Sequence, residues 1–288
     1  MDINFLENDD IKITSISLSN SKKNIDIDIL RLDKIHETIS GNKWFKLKYN
    51  LLEAKNQNVE CIISFGGAFS NHLHALAFAG KKFGLKTIGI VRGEKVENET
   101  LNDCKNWGME LHFISREAYR SKTNLDFLEK LNIQFPNSFI IPEGGENDLG
   151  IKGCEEILKN IEPRKYDKIC CAVGTATTMI GMLKSTETDV IGFAALKNAG
   201  YMIEKIKQQS GREQIELIDD IYFGGFGKWN NELIHFIEEM ELNHNLKLDK
   251  VYTAKLFYNV IKKIETAENW QHNKILIIHS GGLQGNRS

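Results

Sequence analysis

The chain is expected to be an α/β protein of two domains, with parallel-rich sheets flanked by helices. Two patterns carry that expectation. Short apolar, β-branched runs alternate with helix-periodic stretches along the chain, as in parallel sheets covered on both faces. With seven or more such runs, two sheets are expected rather than one.

In order, the predicted strands are CIISF (61–65), KTIGIV (86–91), ELHFIS (110–115), SFIIP (138–142), KICCAV (168–173), DVIGFAA (189–195) and KILIIHS (274–280). The predicted helices between them include NHLHALAFAGKKFG, TLNDCKNWG, LDFLEKLN, IKGCEEILKNI, TMIGMLKS and YMIEKIKQQ. Gly84 and Gly108 follow two of these stretches and suit helix C-termini. TAKLFYNVIKKI (253–264) carries an apolar stripe at helical spacing and reads as core. Residues 53–154 form a continuous β-α-β-α-β-α-β series. They are expected to be a smaller α/β domain inserted into a larger one built from 1–52 and 155–288.

Composition narrows the function. Of 288 residues, 41% are hydrophobic and 26% charged, ordinary for a globular chain. A net charge of −2 gives no electrostatic case for nucleic acid or an anionic membrane. The first residues, MDINFLENDDIKIT, are acidic without an apolar core, so no signal peptide is expected, and no apolar run is long enough to span a bilayer. The five cysteines (Cys61, Cys104, Cys154, Cys170, Cys171) form no CxxC pair. Reduced core thiols in a cytoplasmic protein are the expectation, and no metal site. His72 and His74 are two apart and share no helix face, which argues against a metal pair. His74 and His279 read as buried structure.

Ligands of open α/β sheets bind beyond the carboxyl ends of strands, and three such ends carry glycines. In SFGGAFSNHLHA (64–75), Ser70 and Asn71 open a helix. They cap it, offer its first amides to a carboxylate, or do both. In AVGTATTMIG (172–181), Thr175, Thr177 and Thr178 surround a helix start able to hold a phosphate; the pattern is neither a Walker loop nor GxGxxG. In IIHSGGLQG (277–285), the glycines would let backbone approach a planar ligand. A fourth feature is SGNKWFKLK (40–48). Trp44, Leu47, Leu51 and Ala54 mark its buried stripe, leaving Lys46, Lys48 and Lys55 on the surface. Lys43 stands at the helix start, where the macrodipole favours a neutral amine. A phosphate cradle, a carboxylate-binding turn and a placed lysine together suggest pyridoxal phosphate.

SGNKWFKLK, SFGGAFSNH, IPEGG (141–145) with the KGCEEI helix, VGTATTMIG and DKVYTAK (249–255) occur in one order. From about residue 12 onward the chain resembles the 1-aminocyclopropane-1-carboxylate deaminase and D-cysteine desulfhydrase family. These are pyridoxal-phosphate enzymes with the fold of the tryptophan synthase β subunit. The resemblance implies that the larger domain is the cofactor-binding one. It puts the Schiff-base lysine on Lys43, an active-site serine meeting the substrate carboxylate on Ser70, and a cofactor-bonding asparagine on Asn71, with His72 beside them. It puts the phosphate loop on Thr175, Ala176, Thr177 and Thr178, and an active-site tyrosine on Tyr252.

Two positions separate the branches. Deaminases carry a glutamate facing the pyridine nitrogen after that tyrosine, and desulfhydrases a threonine; here it is Thr253. Before the C-terminal Gly-Gly the residues are leucine and threonine respectively; here it is Ser280. Both favour desulfhydrase-like α,β-elimination from a small amino acid, giving keto acid and ammonia. Two departures stand against the pattern: Phe226 replaces a second active-site tyrosine in the substrate site, and Phe45 replaces an arginine. 1-Aminocyclopropane-1-carboxylate deamination and a catalytically impaired cofactor-binding homologue are the alternatives. The resemblance also implies a homodimer.

Overall fold

The computed structural model describes residues 11–20, 23–219, 223–270 and 273–287. Along the chain run β1 (Ile13–Asn20), β2 (Lys23–Leu30), α1 (Asn42–Asn56), β3 (Cys61–Gly66) and α2 (Asn71–Phe83). There follow β4 (Lys86–Arg92), α3 (Glu99–Asn106), β5 (Glu110–Ile114), α4 (Arg116–Arg120), α5 (Leu125–Gln134), β6 (Ser138–Ile141) and α6 (Asp148–Cys154). The rest comprises β7 (Lys168–Val173), α7 (Thr177–Ser185), β8 (Asp189–Ala194), α8 (Met202–Ser210) and β9 (Glu216–Ile218), then α9 (Asn231–His244), α10 (Thr253–Thr266) and β10 (Ile275–Ile278).

These elements form two compact units. One holds Lys43–Gly153 together with Arg287; the other holds Cys154–Asn286 and the described residues 11–42. The first is built on a four-stranded sheet of order β5-β4-β3-β6, parallel throughout. β3 is buried along its whole length and β4 along all but its ends, as expected of apolar strands covered on both faces. α2 packs on β3 and β4 and ends at Gly84 in the left-handed conformation, φ 67°, where a side chain would cost energy.

The second unit is built on a six-stranded sheet of order β1-β2-β10-β7-β8-β9. From β2 across to β9 its pairings are parallel. The edge pair β1–β2 is antiparallel and, with β9, was not among the predicted strands. In β2, Ile27 and Ile29 are fully buried while Asp26 and Asp28 accept hydrogen bonds from Ser17 and Ser15 across the ladder. This period-2 alternation belongs to a strand with one wet face. α10 carries the core stripe expected of it: Leu256, Phe257 and Val260 are buried among Ile275, Ile277 and Cys170.

Two further expectations are corrected. α6 stops at Cys154 instead of continuing through Ile161; beyond it the backbone bonds run from i to i−3, from Ile157 to Cys154 and from Lys159 to Glu156. Lys46 is buried, at 5% exposure, because α1 packs Trp44, Phe45 and Leu47 inward as well, a broader face than the predicted stripe. The five cysteines are buried, and none forms a disulfide among the described residues. Among the described residues, no helix is long and apolar enough to cross a membrane.

Candidate active site

The candidate residues divide between the two units. In the unit of Lys43–Gly153, the chain leaves β3 through Gly66 and turns back into α2. The turn closes with Ser70 N donating to Gly67 O at 3.0 Å. Ser70 caps α2, its Oγ accepting from Leu73 N at 3.2 Å. A hydroxyl that accepts from the backbone keeps its own proton, so the cap leaves Ser70 able to donate to an anion. A Cβ at Gly66 would stand 2.4 Å from Ser70 Oγ, so only glycine admits this turn. Asn71 is the first residue of α2.

His72 is buried, and its Nε2 lies 3.0 Å from Ser64 Oγ. Ser64 donates its proton to Ile141 O at 2.8 Å, so the imidazole donates from Nε2 and carries a bare lone pair on Nδ1. Nδ1 is buried and makes no hydrogen bond. Burial, and then the nearby charges of Lys43 and Lys46, push the His72 pKa down to about 3. His72 is therefore neutral at physiological pH. Lys43, half-buried, is the second residue of α1. Lys46 packs against Gly145, where a Cβ would come within 3.0 Å of Lys46 Cβ.

In the other unit, α7 starts without a side-chain cap. Its N-cap is Ala176 at φ 65°, a strained conformation for a residue with a side chain. Thr177 and Thr178 behind it are buried, and Thr175 Oγ1 lies 3.0 Å from Thr177 Oγ1. The first amides of a helix lack intrahelical partners, and a buried, uncapped start suits an anion. Thr178 differs from its neighbours: its hydroxyl accepts from Asn42 Nδ2 at 2.9 Å. That oxygen holds the loop before Lys43.

The same loop is held at a second point, where Asn42 N donates to Ser280 O at 3.2 Å. Gly41 lies so close that an added Cβ would fall 1.8 Å from Ser280 O, and a Cβ on Gly281 would be 2.9 Å from Gly41 Cα. The glycines after β10 thus admit the backbone of residues 40–42, where the sequence suggested a planar ligand. His279 supports that turn, with Nε2 on Lys247 O at 2.7 Å and Nδ1 accepting from Gly281 N.

Tyr252 stands beside the cradle: a Cβ on Gly174 would be 3.2 Å from the Tyr252 ring and 3.4 Å from its hydroxyl. Phe226, half-exposed, meets Tyr252 edge-on with centroids 5.9 Å apart. Lys255 Nζ donates to Gly225 O at 2.6 Å and fixes the loop that carries Phe226. Thr253 is fully buried; its hydroxyl donates to Asp249 Oδ2 at 2.7 Å and accepts from Asp249 N at 2.8 Å. Its only proton being committed, Thr253 offers a ligand a lone pair alone.

The buried, uncapped helix start, the strained alanine and the threonine pair fit a phosphate, and Tyr252 beside Gly174 supplies an aromatic wall. These features fit pyridoxal phosphate. The chain matches the family described as "Pyridoxal-phosphate dependent enzyme" over residues 11–216, and it is a pyridoxal-phosphate-dependent enzyme. Within that class it belongs to the 1-aminocyclopropane-1-carboxylate deaminase and D-cysteine desulfhydrase family.

A "Putative 1-aminocyclopropane-1-carboxylate deaminase" of Thermotoga maritima is 31% identical over 89% of this chain and 88% of its own length. The "Bifunctional D-cysteine desulfhydrase/1-aminocyclopropane-1-carboxylate deaminase, mitochondrial" of Arabidopsis thaliana is 29% identical, covering 86% and 70%. The solved structure of an "ACC deaminase homologue" superposes with a TM-score of 0.77 at 27% identity, over 91% of this chain and 86% of that one.

Sequence reasoning overlooked three residues. Asn42 was signalled by its place in Gly-Asn-Lys, and Asp249 by its spacing of four before Thr253. Lys46 gave no signal, because a lysine beside an apolar stripe usually lies in solvent.

Proposed function

We propose that the protein is a lyase that eliminates a β-substituent from a small amino acid, D-cysteine first among candidates, releasing a keto acid and ammonia. The observation that carries this reading is the double anchoring of Asn42, to Ser280 and Thr178, immediately before Lys43. A lysine on an ordinary surface helix needs no such fixing.

Bound pyridoxal phosphate supplies an aldehyde to capture the amino group and a ring to delocalise charge from Cα. The start of α7 and the hydroxyls of Thr175 and Thr177 would hold its phosphate. Lys43 Nζ would hold the cofactor, and as a free amine it is the base placed to take the Cα proton. Ser70 donates its hydroxyl proton to the substrate carboxylate, and the first amides of α2 at Asn71 and His72 add to that clamp. Tyr252 exchanges protons with the departing group.

Thr253 supports elimination over ring opening. No carboxylate side chain occupies the position after Tyr252, so less charge is drawn toward the pyridine nitrogen, and a leaving group on Cβ carries the electrons away. The name of the Arabidopsis relative couples both activities in one protein, and the Thermotoga relative's name favours deamination of 1-aminocyclopropane-1-carboxylate as the second reading.

The test is a spectrum-monitored panel of D- and L-cysteine, β-chloroalanine and 1-aminocyclopropane-1-carboxylate, with keto acid and sulfide measured. Elimination predicts both products from D-cysteine, and Lys43→Ala should lose the visible absorbance of bound cofactor and all turnover. A protein that takes up no cofactor would overturn the reading. Uptake without turnover on any substrate would point to a binding homologue instead, for which Phe226 is the motivating residue. Five buried cysteines with no disulfide among the described residues support a cytoplasmic setting. A homodimer is proposed from the family resemblance, to be checked by light scattering.

A further inference from the structure

The turn that carries Ser70 has a second cationic end. Arg92 closes β4, next to β3, and its Nη2 lies 3.7 Å from where a Cβ of Gly67 would stand. Its guanidinium carbon lies 5.7 Å from the Tyr119 ring centroid. Yet Arg92 is exposed and makes no hydrogen bond or ion pair with any described residue.

Its charged neighbours leave it without an ion pair. Lys122 approaches the same ring at 5.1 Å but is paired with Glu143 at 3.4 Å. Arg116 lies 4.0 Å from the Cβ position of Gly93, adding a further cation. Glu94 and Glu97, the acids nearest in sequence, form no ion pair with Arg92. A guanidinium held over an aromatic ring and left without a carboxylate is a preorganised anion receptor.

Its place on the turn sets the ligand. Gly67 and Ser70 are the first and fourth residues of a turn closed by a 3.0 Å hydrogen bond. Their Cα atoms are therefore within about 7 Å. A molecule whose α-carboxylate rests at Ser70 lies one turn's width from Gly67 and the guanidinium beside it.

We propose that Arg92 is a specificity-determining residue that pairs with a negatively charged substituent on the β-carbon of the substrate. The site then favours amino acids with a second acidic group over neutral ones, and would take cysteine as its thiolate. This rests on the assignment of the substrate carboxylate to Ser70.

Calorimetric binding of D- and L-aspartate against D- and L-alanine tests it on the purified holoenzyme. The wild type should bind aspartate of one hand about tenfold more tightly than the matching alanine. Arg92→Gln should remove that difference while leaving alanine affinity unchanged, and Arg92→Lys should keep part of it. Equal affinity for both ligands in the wild type, or a preference that survives Arg92→Gln, would overturn the proposal. Because the readout is binding, it decides the role of Arg92 even if the elimination reading fails on its substrate panel.

Discussion

Asn42 and Thr178, 136 positions apart, share a buried hydrogen bond of 2.9 Å from amide to hydroxyl. The bond ties the loop before the candidate lysine to the helix whose start forms the phosphate cradle. Asn42→Ala should cost about 1–2 kcal/mol, since it leaves a buried hydroxyl short of a partner. It should also weaken cofactor retention, because the chain leading into Lys43 loses its anchor on α7. Urea unfolding and a cofactor dissociation assay check both effects; a variant unchanged in each would make the bond incidental.

His72 should impose a pH dependence on stability. Its folded pKa, about 3, lies below the ordinary 6.5, so the unfolded chain binds the extra proton. Stability is then complete above pH 6.5 and is lost as pH falls toward 3. The slope for one histidine is at most about 1.4 kcal/mol per pH unit. His74 acts in the same direction, its pKa lowered chiefly by burial against the opposing pull of Asp103. His72→Gln places an amide nitrogen where Nε2 bonds Ser64, without a titrating ring. Unfolding measured at pH 7 and pH 5 should show a shallower loss in His72→Gln than in the wild type. An identical loss would mean that His72 does not titrate on unfolding.

Asp249 and Thr253 should behave as one unit. The Asp249 carboxylate accepts from the amides of Val251, Tyr252 and Thr253 and from the Thr253 hydroxyl, and so organises the start of α10. Thr253→Val should cost about 1–2 kcal/mol and Asp249→Ala about 2–3 kcal/mol. Because they share a bond, the double variant should be less destabilised than the sum, with a coupling of about 1 kcal/mol or more. A double-mutant cycle with additive costs would show the two acting separately.

The predicted strands in both units could be read because a parallel strand buried on both faces is a plain apolar run. KICCAV and CIISF are recognisable without knowing their neighbours. β2 was overlooked for the opposite reason: in KNIDIDIL the aspartates dilute the apolar signal, and only alternation betrays the strand. The site residues came from motifs at strand ends, where chemistry and backbone geometry coincide, and Lys43, Ser70 and Tyr252 stand at helix starts. What local sequence could not reveal was partnership at long range. Nothing near Thr178 says that its hydroxyl serves Asn42, nothing near Gly281 says that Gly41 lies against it, and Lys46 is buried by a face of α1 wider than its apolar stripe. Arg92 drew no notice for a related reason, since an arginine ending a strand is ordinary until its lack of partners is seen.

The contact between Gly41 and the Ser280–Gly281 turn fixes an order of events during synthesis. Residues 40–42 leave the ribosome well before their hydrogen-bond acceptor at Ser280, which does not exist until β10 has been translated. The lysine loop therefore waits, unanchored on that side, while the intervening chain is made. A nascent chain released before β10 would carry the lysine without its final setting, so the loop matures only once β10 has been made.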